Sequence, residues 1–530
     1  MHIHIIQIIF YIILFIEGGK TLESLFNSVN SFFDFIVPIS DFMWNFPTNF
    51  EWYSSIPVLG NFAFSILLLI GTGVYFTFAT KFVQVRRFKA GLKAIIRKKT
   101  GDIGVSPFAA FLLSSAMRIG PGNIIGVTSA VSVGGPGAIF WMWMSAFFGM
   151  SIAFSEAVLA QLFKEKKDKQ FVGGLPFYGK KIFGNRYWVG VVLSTIFIIY
   201  ALFNLPGQTF NLYTSLGSVA ENITGQTYDR QSIVYYVIGV IIVISVAFTV
   251  FGGIKGVTRV TDKLVPVMAV IYTLIVIIIV GINFKLIPYF FVSVFKGAFT
   301  PQAIFGGTFG ICLAQGVKRG LMSNEAGQGT ITMAAAISEN QHPCEQGFIQ
   351  AIGVFLDTMI ICTMTGFLIV MASVWNGDAG VVWEAIRDSK ITVYTASVAH
   401  LVPGVELDNI VNSILSLCYA MFAFTTLIGL VLFAEISANC ITRDNKFIIA
   451  IRVLGAVLFV PFGVLSVLAG LELGNVWYIS DMVNIMVVFA NVPILIVGRK
   501  IILKTLNHYE KSNGDKFVSK DIGIETEYWK

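Results

Sequence analysis

Thr425 and Thr426 stand side by side in an otherwise apolar run, and the tetrapeptide Gly120-Pro121-Gly122-Asn123 interrupts another. The tetrapeptide lies within SSAMRIGPGNIIGVTSAVSVGGPG (residues 114–137), where each interior glycine costs a helix about 1 kcal/mol and each proline about 3 kcal/mol. A backbone that unwinds in hydrocarbon loses its hydrogen-bond partners, which is tolerated only where it lines a cavity and binds something. Half-helix N-termini favour a carboxylate, and freed carbonyls favour a cation or an ammonium group. Those groups together suit a zwitterion accompanied by a small cation. A second interruption, PQAIFGGTFGICLAQGVKRG (residues 301–320), clusters Gly306, Gly307 and Gly310 in a short apolar run.

The elements that position these residues are set by composition. A 530-residue chain that is 55% hydrophobic and 13% charged, with mean hydropathy +0.77, cannot cover itself with a polar shell; it reads as an all-α polytopic membrane protein. At about 20 residues per crossing, eleven spans are expected, near 59–80, 106–132, 137–163, 187–218, 232–252, 263–283, 301–317, 347–374, 410–436, 447–470 and 476–498. The five cysteines form no CxxC pair and have no histidine at ligand spacing, so neither a disulfide framework nor a zinc site is expected. The net charge of +7 comes without an aromatic-interleaved basic domain, so no nucleic-acid partner is expected.

With the loop at 81–100 placed inside, the inside loops and tail carry 29 Lys and Arg and the outside ones six. That imbalance predicts a cytoplasmic C-terminus. The chain divides into an N-terminal apolar or interfacial segment (1–57), a first span with its basic loop (58–105), five-span units at 106–283 and 301–498, and a cytoplasmic tail (499–530). Residues 2–16 suit a further span, an interfacial helix or a cleaved signal. The two glycine-rich breaks are five spans apart, an odd number, so the two units enter the membrane from opposite faces as a 5+5 inverted repeat with two discontinuous helices. Paired interruptions of this kind point to a transporter's central site. Single glycines in membrane helices more often serve close packing; the pairing favours a site.

The segment GPGNIIGVTSAVSVGGPGAIFWMWMSAFFGMSIAFSEAVLAQ (120–161) resembles the signature region of the sodium:alanine/glycine symporter family. VFGGIKGVTRVTDKLVPVMAVIY (250–272), VKRGLMSNEAGQGT (317–330), GVFLDTMIICTMTG (353–366) and FAFTTLIGLVLFAE (422–435) match its further blocks in order, so the resemblance covers about residues 60–500. It implies a leucine-transporter-like fold in the cell membrane and inward symport of alanine or glycine with Na⁺, or sometimes H⁺. It also implies that Gly120, Gly122 and Asn123 hold the substrate carboxylate, chiefly through the amides of Gly122 and Asn123, and that Gly306, Gly307 and Thr308 face the ammonium. Gln208 joins the pocket, and Ala116, Ile119, Thr425 and Thr426 ligate Na⁺. Two positions depart from the family pattern: Phe210 replaces an asparagine and Leu430 a tryptophan, which bears on which amino acid is carried. Threonines in spans also bond to carbonyls one turn back.

Ionisable residues at bilayer depth are costly and therefore functional candidates. Arg118 could position the carbonyls of the cation site or bond to helix ends as a gate. Glu325 could pair with Arg319 or another inner basic residue as a cytoplasmic gate, and Glu156, Asp357 and Glu435 could form gating pairs or a proton relay. An enzyme is not expected, since HExxH and GxSxG are absent and the five histidines are scattered. A channel would more often use symmetric subunits around a polar pore. No organic cofactor is expected, and the protein is expected to act as a monomer in the lipid bilayer.

Overall fold

A computed structural model describes residues 24, 27–28, 31–56, 59–99, 101–299, 308–374, 390–468, 476–512 and 514–530. Among the described residues the regular structure is helical apart from a hairpin of β1 (Glu165–Lys167) and β2 (Gln170–Val172) and one isolated bridge. Its main helices are α1 (Phe64–Ala79), α2 (Pro107–Arg118), α3 (Val127–Gly134), α4 (Ala138–Leu162), α5 (Tyr187–Thr224), α6 (Ile233–Phe251), α7 (Gly253–Ile282), α8 (Thr308–Asn324), α9 (Pro343–Ala372), α10 (Val405–Ala438), α11 (Asn445–Leu468) and α12 (Val476–Lys511). Among the described residues, eight helices are long and apolar enough to cross a membrane, and α2 with the segment Gly122–Gly134 makes a ninth, bent by 51°. The other two expected spans correspond to the shorter α1 and α8. On α6 and α7, Ile241, Phe248, Leu274 and Ile278 are exposed, an apolar face that needs lipid around it.

Local sequence explains the bend. Ser106 caps α2, its hydroxyl accepting from the Ala109 amide at 3.1 Å, and Pro107 fills the first turn where no amide partner is needed. The helix stops at Arg118, and the chain re-enters a helix through a π turn at Gly122–Gly126. Gly135, at φ +74°, ends α3 in a conformation that only glycine adopts cheaply.

Among the described residues a second discontinuity lies beyond the glycine cluster. Gly306 and Gly307 lie outside the described residues, whereas Gly310 is inside continuous α8, packed so closely on Asn61 that a Cβ would overlap that side chain. There α8 ends at Asn324, and the chain passes through left-handed Glu325 (φ +57°), Gly327 (+89°) and Gly329 (+73°) before a short helix at Thr332–Ala336. Residues 323–340 are buried throughout. α8 packs on α3 and its π turn, and Thr332–Ala336 packs on α2, so the two broken helices pair half against half. Lys318 and Arg319, expected in an inside loop, belong to α8. Likewise α7 begins at Gly253, ten residues before its expected start, and α12 runs past 498 to Lys511.

At the face where α2 begins, the extended backbone of Val105 pairs with Ser338, and the chain's last residues fold over the junction. Phe517, Ile522 and Trp529 are buried; the Phe517 amide donates to the Gln341 carbonyl (3.1 Å) and the Trp529 indole to the Gln161 carbonyl (2.7 Å). The Lys164 ammonium lies 4.1, 4.5 and 5.0 Å from the ring centroids of Phe171, Tyr528 and Trp529. His342 stacks on His508 and meets Phe517, and burial, then His508, pushes its pKa down to about 3. Its folded-state value lies below the ordinary one, so the docked tail is fully favoured above pH of about 6.5 and loses stability as pH falls from there toward 3. Proteolysis at Lys516 and Lys520 is expected to accelerate over that range in the wild type, and less so in His342→Asn.

Candidate functional site

Both breaks face one cavity of about 830 Å³. Gly120, Pro121 and Gly122 line it from the first break and Glu325 and Gln328 from the second; α5 contributes Asn204, Gln208 and Asn211, and α10 contributes Tyr419, Thr426 and Leu430. Arg319, Asp481 and Lys390 also line it. A chamber of this size lined by many polar side chains can take a small polar molecule.

The first break spends most of its backbone groups on itself. The Gly120 amide donates to Asn123 Oδ1 (2.8 Å), and the Asn123 amide donates to the Gly120 carbonyl (3.1 Å). The Asn123 side chain is buried away from the cavity, its Nδ2 donating to Asp357 Oδ1 at 2.6 Å and to Ser323 Oγ at 3.2 Å. Of the residues expected to form the carboxylate cradle, the amides of Gly120 and Asn123 are engaged within the break in this conformation, and Gly122 is exposed at the helix N-terminus. Gln208 is in place, with a buried Oε1 that has no partner. Thr308 opens α8, but its side chain, like Gly306 and Gly307, falls outside the described residues.

Beside the break, oxygens converge. The Thr426 hydroxyl lies 3.2 Å from the Ala116 carbonyl and that of Thr425 3.5 Å from it, while both reach back to the Phe422 carbonyl at 3.0 and 3.1 Å. The structure thus brings together the expected Ala116, Thr425 and Thr426 and also realises the one-turn-back bonding; Ile119 follows at the end of α2. Gly120 has to be small there, since a Cβ would come within 2.9 Å of Thr426 Oγ1. Among the described residues no group of three or more His, Cys, Asp or Glu could hold a metal ion, and all five cysteines are buried and free.

Arg118 braces the two breaks. Its Nε donates to the Asn324 carbonyl (3.0 Å), which the end of α8 leaves bare, and its Nη1 donates to Gln350 Oε1 (2.9 Å) on α9. Glu325 is not paired with Arg319: its Oε2 accepts from the Thr330 hydroxyl (2.8 Å), and no ion pair to it occurs among the described residues. The inner-gate reading of that pair is therefore corrected. Asp357 Oδ2 accepts from Ser323 (2.9 Å) and Thr358 (2.8 Å), and Glu435 is paired with Arg452 (2.7 Å).

The sequence profile of the sodium:alanine symporter family matches residues 51–521, nearly the whole chain. The chain belongs to the sodium:alanine symporter family. It is 32% identical over 490 residues to the amino-acid carrier protein AlsT of Bacillus subtilis, covering 92% of this chain and 93% of that one. It is 35% identical over 312 residues to the sodium/alanine symporter AgcS of Methanococcus maripaludis, covering 58% and 68%. The crystal structure of MhsT in complex with L-phenylalanine aligns with 76% of this chain and 99% of that one at 14% identity and a TM-score of 0.44. The protein is a membrane transporter, not an enzyme.

Sequence reading missed the Glu325–Ile331 break, though Asn-Glu-Ala-Gly-Gln-Gly-Thr supplied its signal: two glycines at alternate positions among polar residues. It also missed Gln350, Ser323 and Asn491, which read as ordinary polar helix residues. Arg118→Leu is expected to strand the Asn324 carbonyl and Gln350 in the core, at about 1.5–3 kcal/mol per lost charged hydrogen bond. The midpoint of thermal unfolding in detergent should fall, measurably more than for Arg319→Leu at the cavity wall.

Proposed function

We propose that this family member is a secondary active symporter that carries a small neutral amino acid, alanine or glycine, into the cell with Na⁺ by alternating access. The observation that carries the reading is the adjacency of two kinds of site on one broken helix: the Ala116, Thr425 and Thr426 oxygens abut the break whose Gly122 opens into the cavity. In this reading Na⁺ sits among the carbonyls of Ala116 and Ile119 and the two hydroxyls. The substrate carboxylate is drawn to Gly122 and the positive end of the Gly122–Gly134 helix. Gln208 offers its unpartnered oxygen to the ammonium, and Gly306, Gly307 and Thr308 complete the pocket as the family resemblance implies. The carrier acts as a monomer in the plasma membrane, with the tail face cytoplasmic.

Coupling follows from shared structure. Na⁺ orders the carbonyl end of the same break that presents Gly122, so ion and amino acid stabilise one arrangement and each tightens the other by the same factor. Leu430, where the family pattern has a tryptophan, leaves a roomier wall, which favours tolerance of side chains larger than a methyl group, and Phe210 makes that wall less polar than the family's asparagine would.

In proteoliposomes with an inward Na⁺ gradient, labelled alanine should accumulate above its external concentration and leak out when a Na⁺ ionophore is added. A channel would equilibrate without accumulating. Thr426→Val, which keeps the shape and removes one ligand, should raise the Na⁺ concentration for half-maximal uptake about tenfold, the equivalent of about 1.4 kcal/mol. Unchanged Na⁺ half-saturation in both Thr426→Val and Thr425→Ala would reject this cation site.

A further inference from the structure

Besides Glu325 and Asp481, which line the cavity, the buried carboxylates Glu435, Asp357 and Glu156 are each held differently. Glu435 accepts from Arg452 through both oxygens, at 2.7 and 2.8 Å. Asp357 has both oxygens filled by neutral donors, Asn123 on one and Ser323 and Thr358 on the other. Glu156, on α4, is only half served. Its Oε1 accepts from the Gly329 amide at 2.9 Å and Asn491 Nδ2 at 2.6 Å, while Oε2 is buried with no partner at all. No Lys, Arg or His pairs with it among the described residues.

We propose that Glu156 is a proton site, with the proton on Oε2, and that it is loaded and emptied as the second break moves. This coupling site is separate from the oxygen cluster at Ala116. It deepens the transport reading above and rests on it for the coupling, though not for the protonation itself.

The geometry argues for a proton over a metal ion. A bare carboxylate at bilayer depth is costly, and among the described residues Glu156 has no contacting cation to offset it. The two donors occupy Oε1, which leaves Oε2 as the oxygen that can carry hydrogen. A Na⁺ ion would need several oxygens around it, and the nearby Gly327 carbonyl is already engaged by Asn491 at 3.0 Å.

The same contacts connect this proton to the substrate cavity. Glu156 grips the second break directly at Gly329 and, through Asn491, at Gly327; two residues along that segment, Glu325 and Gln328, line the cavity. A neutral carboxyl accepts hydrogen bonds more weakly than a carboxylate. Protonation therefore slackens the grip, and deprotonation, once water reaches Oε2, tightens it. The titratable and charged groups facing Glu156 are Arg118 on α2, Glu325 on the break, and Tyr178 on Leu175–Ile182, whose hydroxyl donates to Asn491 Oδ1.

The test has two arms. In the purified full-length protein without substrate, infrared difference spectra between acidic and alkaline buffer should show a protonated-carboxyl band that is lost in Glu156→Gln. An identical band in wild type and Glu156→Gln would overturn the site. In proteoliposomes, Na⁺-driven alanine uptake by the wild type should vary with pH, its apparent affinity changing by up to tenfold per pH unit, the limit for one proton. Glu156→Gln should be flat. A band lost in the variant alongside an unchanged pH profile would overturn the coupling, and absence of alanine uptake by the wild type would count against the transport reading while leaving the infrared result standing. Should Glu156→Gln fail to fold, Tyr178→Phe, which releases Asn491, is expected to displace the pH at which the band appears; no displacement would overturn the proposal.

Discussion

A broken helix in hydrocarbon must find partners for the backbone groups it frees, because no water is there to supply them. This constraint organises the centre of the molecule. Arg118 covers the carbonyl at the end of α8, Asn123 covers the amide of Gly120, and Glu156 covers the amide of Gly329. Each cap comes from a different helix than the group it serves, or from the far side of its own turn. The two breaks consequently form one hydrogen-bonded unit. Neither can shift without loosening the other, and that is the property a carrier needs if occupancy at one point is to be felt at the rest.

The polar interior is unusual in having cations and anions that mostly do not touch. Arg118 bonds to neutral oxygens, and Asp357 accepts from neutral donors. Direct contact pairs such as Glu435 with Arg452 lie at the α10–α11 junction, away from the breaks. A buried contact pair is hard to part, because separation leaves two uncompensated charges. Charges held by amides and hydroxyls can exchange partners at smaller cost, which suits the moving part of the protein, while the contact pair suits the frame.

How much of this could be read from residues alone depended on what kind of signal carried it. Apolar run length gave the spans, and the Gly-Pro-Gly-Asn motif located the first bend because its energetic penalty is local. The threonine pair beside Ala116 was legible only through family resemblance, since hydroxyl spacing on one helix says nothing about the carbonyl it meets on another. The break after Asn324 went unread because three glycines in an apolar setting looked costlier than a polar stretch, Asn324 to Thr330, that composition assigns to a loop. Only the packing reveals that this stretch is buried. The engaged amide of Asn123 escaped for the same reason: a motif states which groups are available, and tertiary contacts decide which are already taken.

Gly353 shows what such contacts do to the meaning of a residue. On α9, in a helix-packing position, it has the look of a spacer that lets two helices approach. Its missing Cβ is in fact the space occupied by Arg118 Nη1. The vacancy houses a charge. Any side chain there would evict the guanidinium from its perch over the α8 terminus, so a change from glycine to alanine, the mildest in the alphabet, would do its harm as an electrostatic lesion and not as crowding.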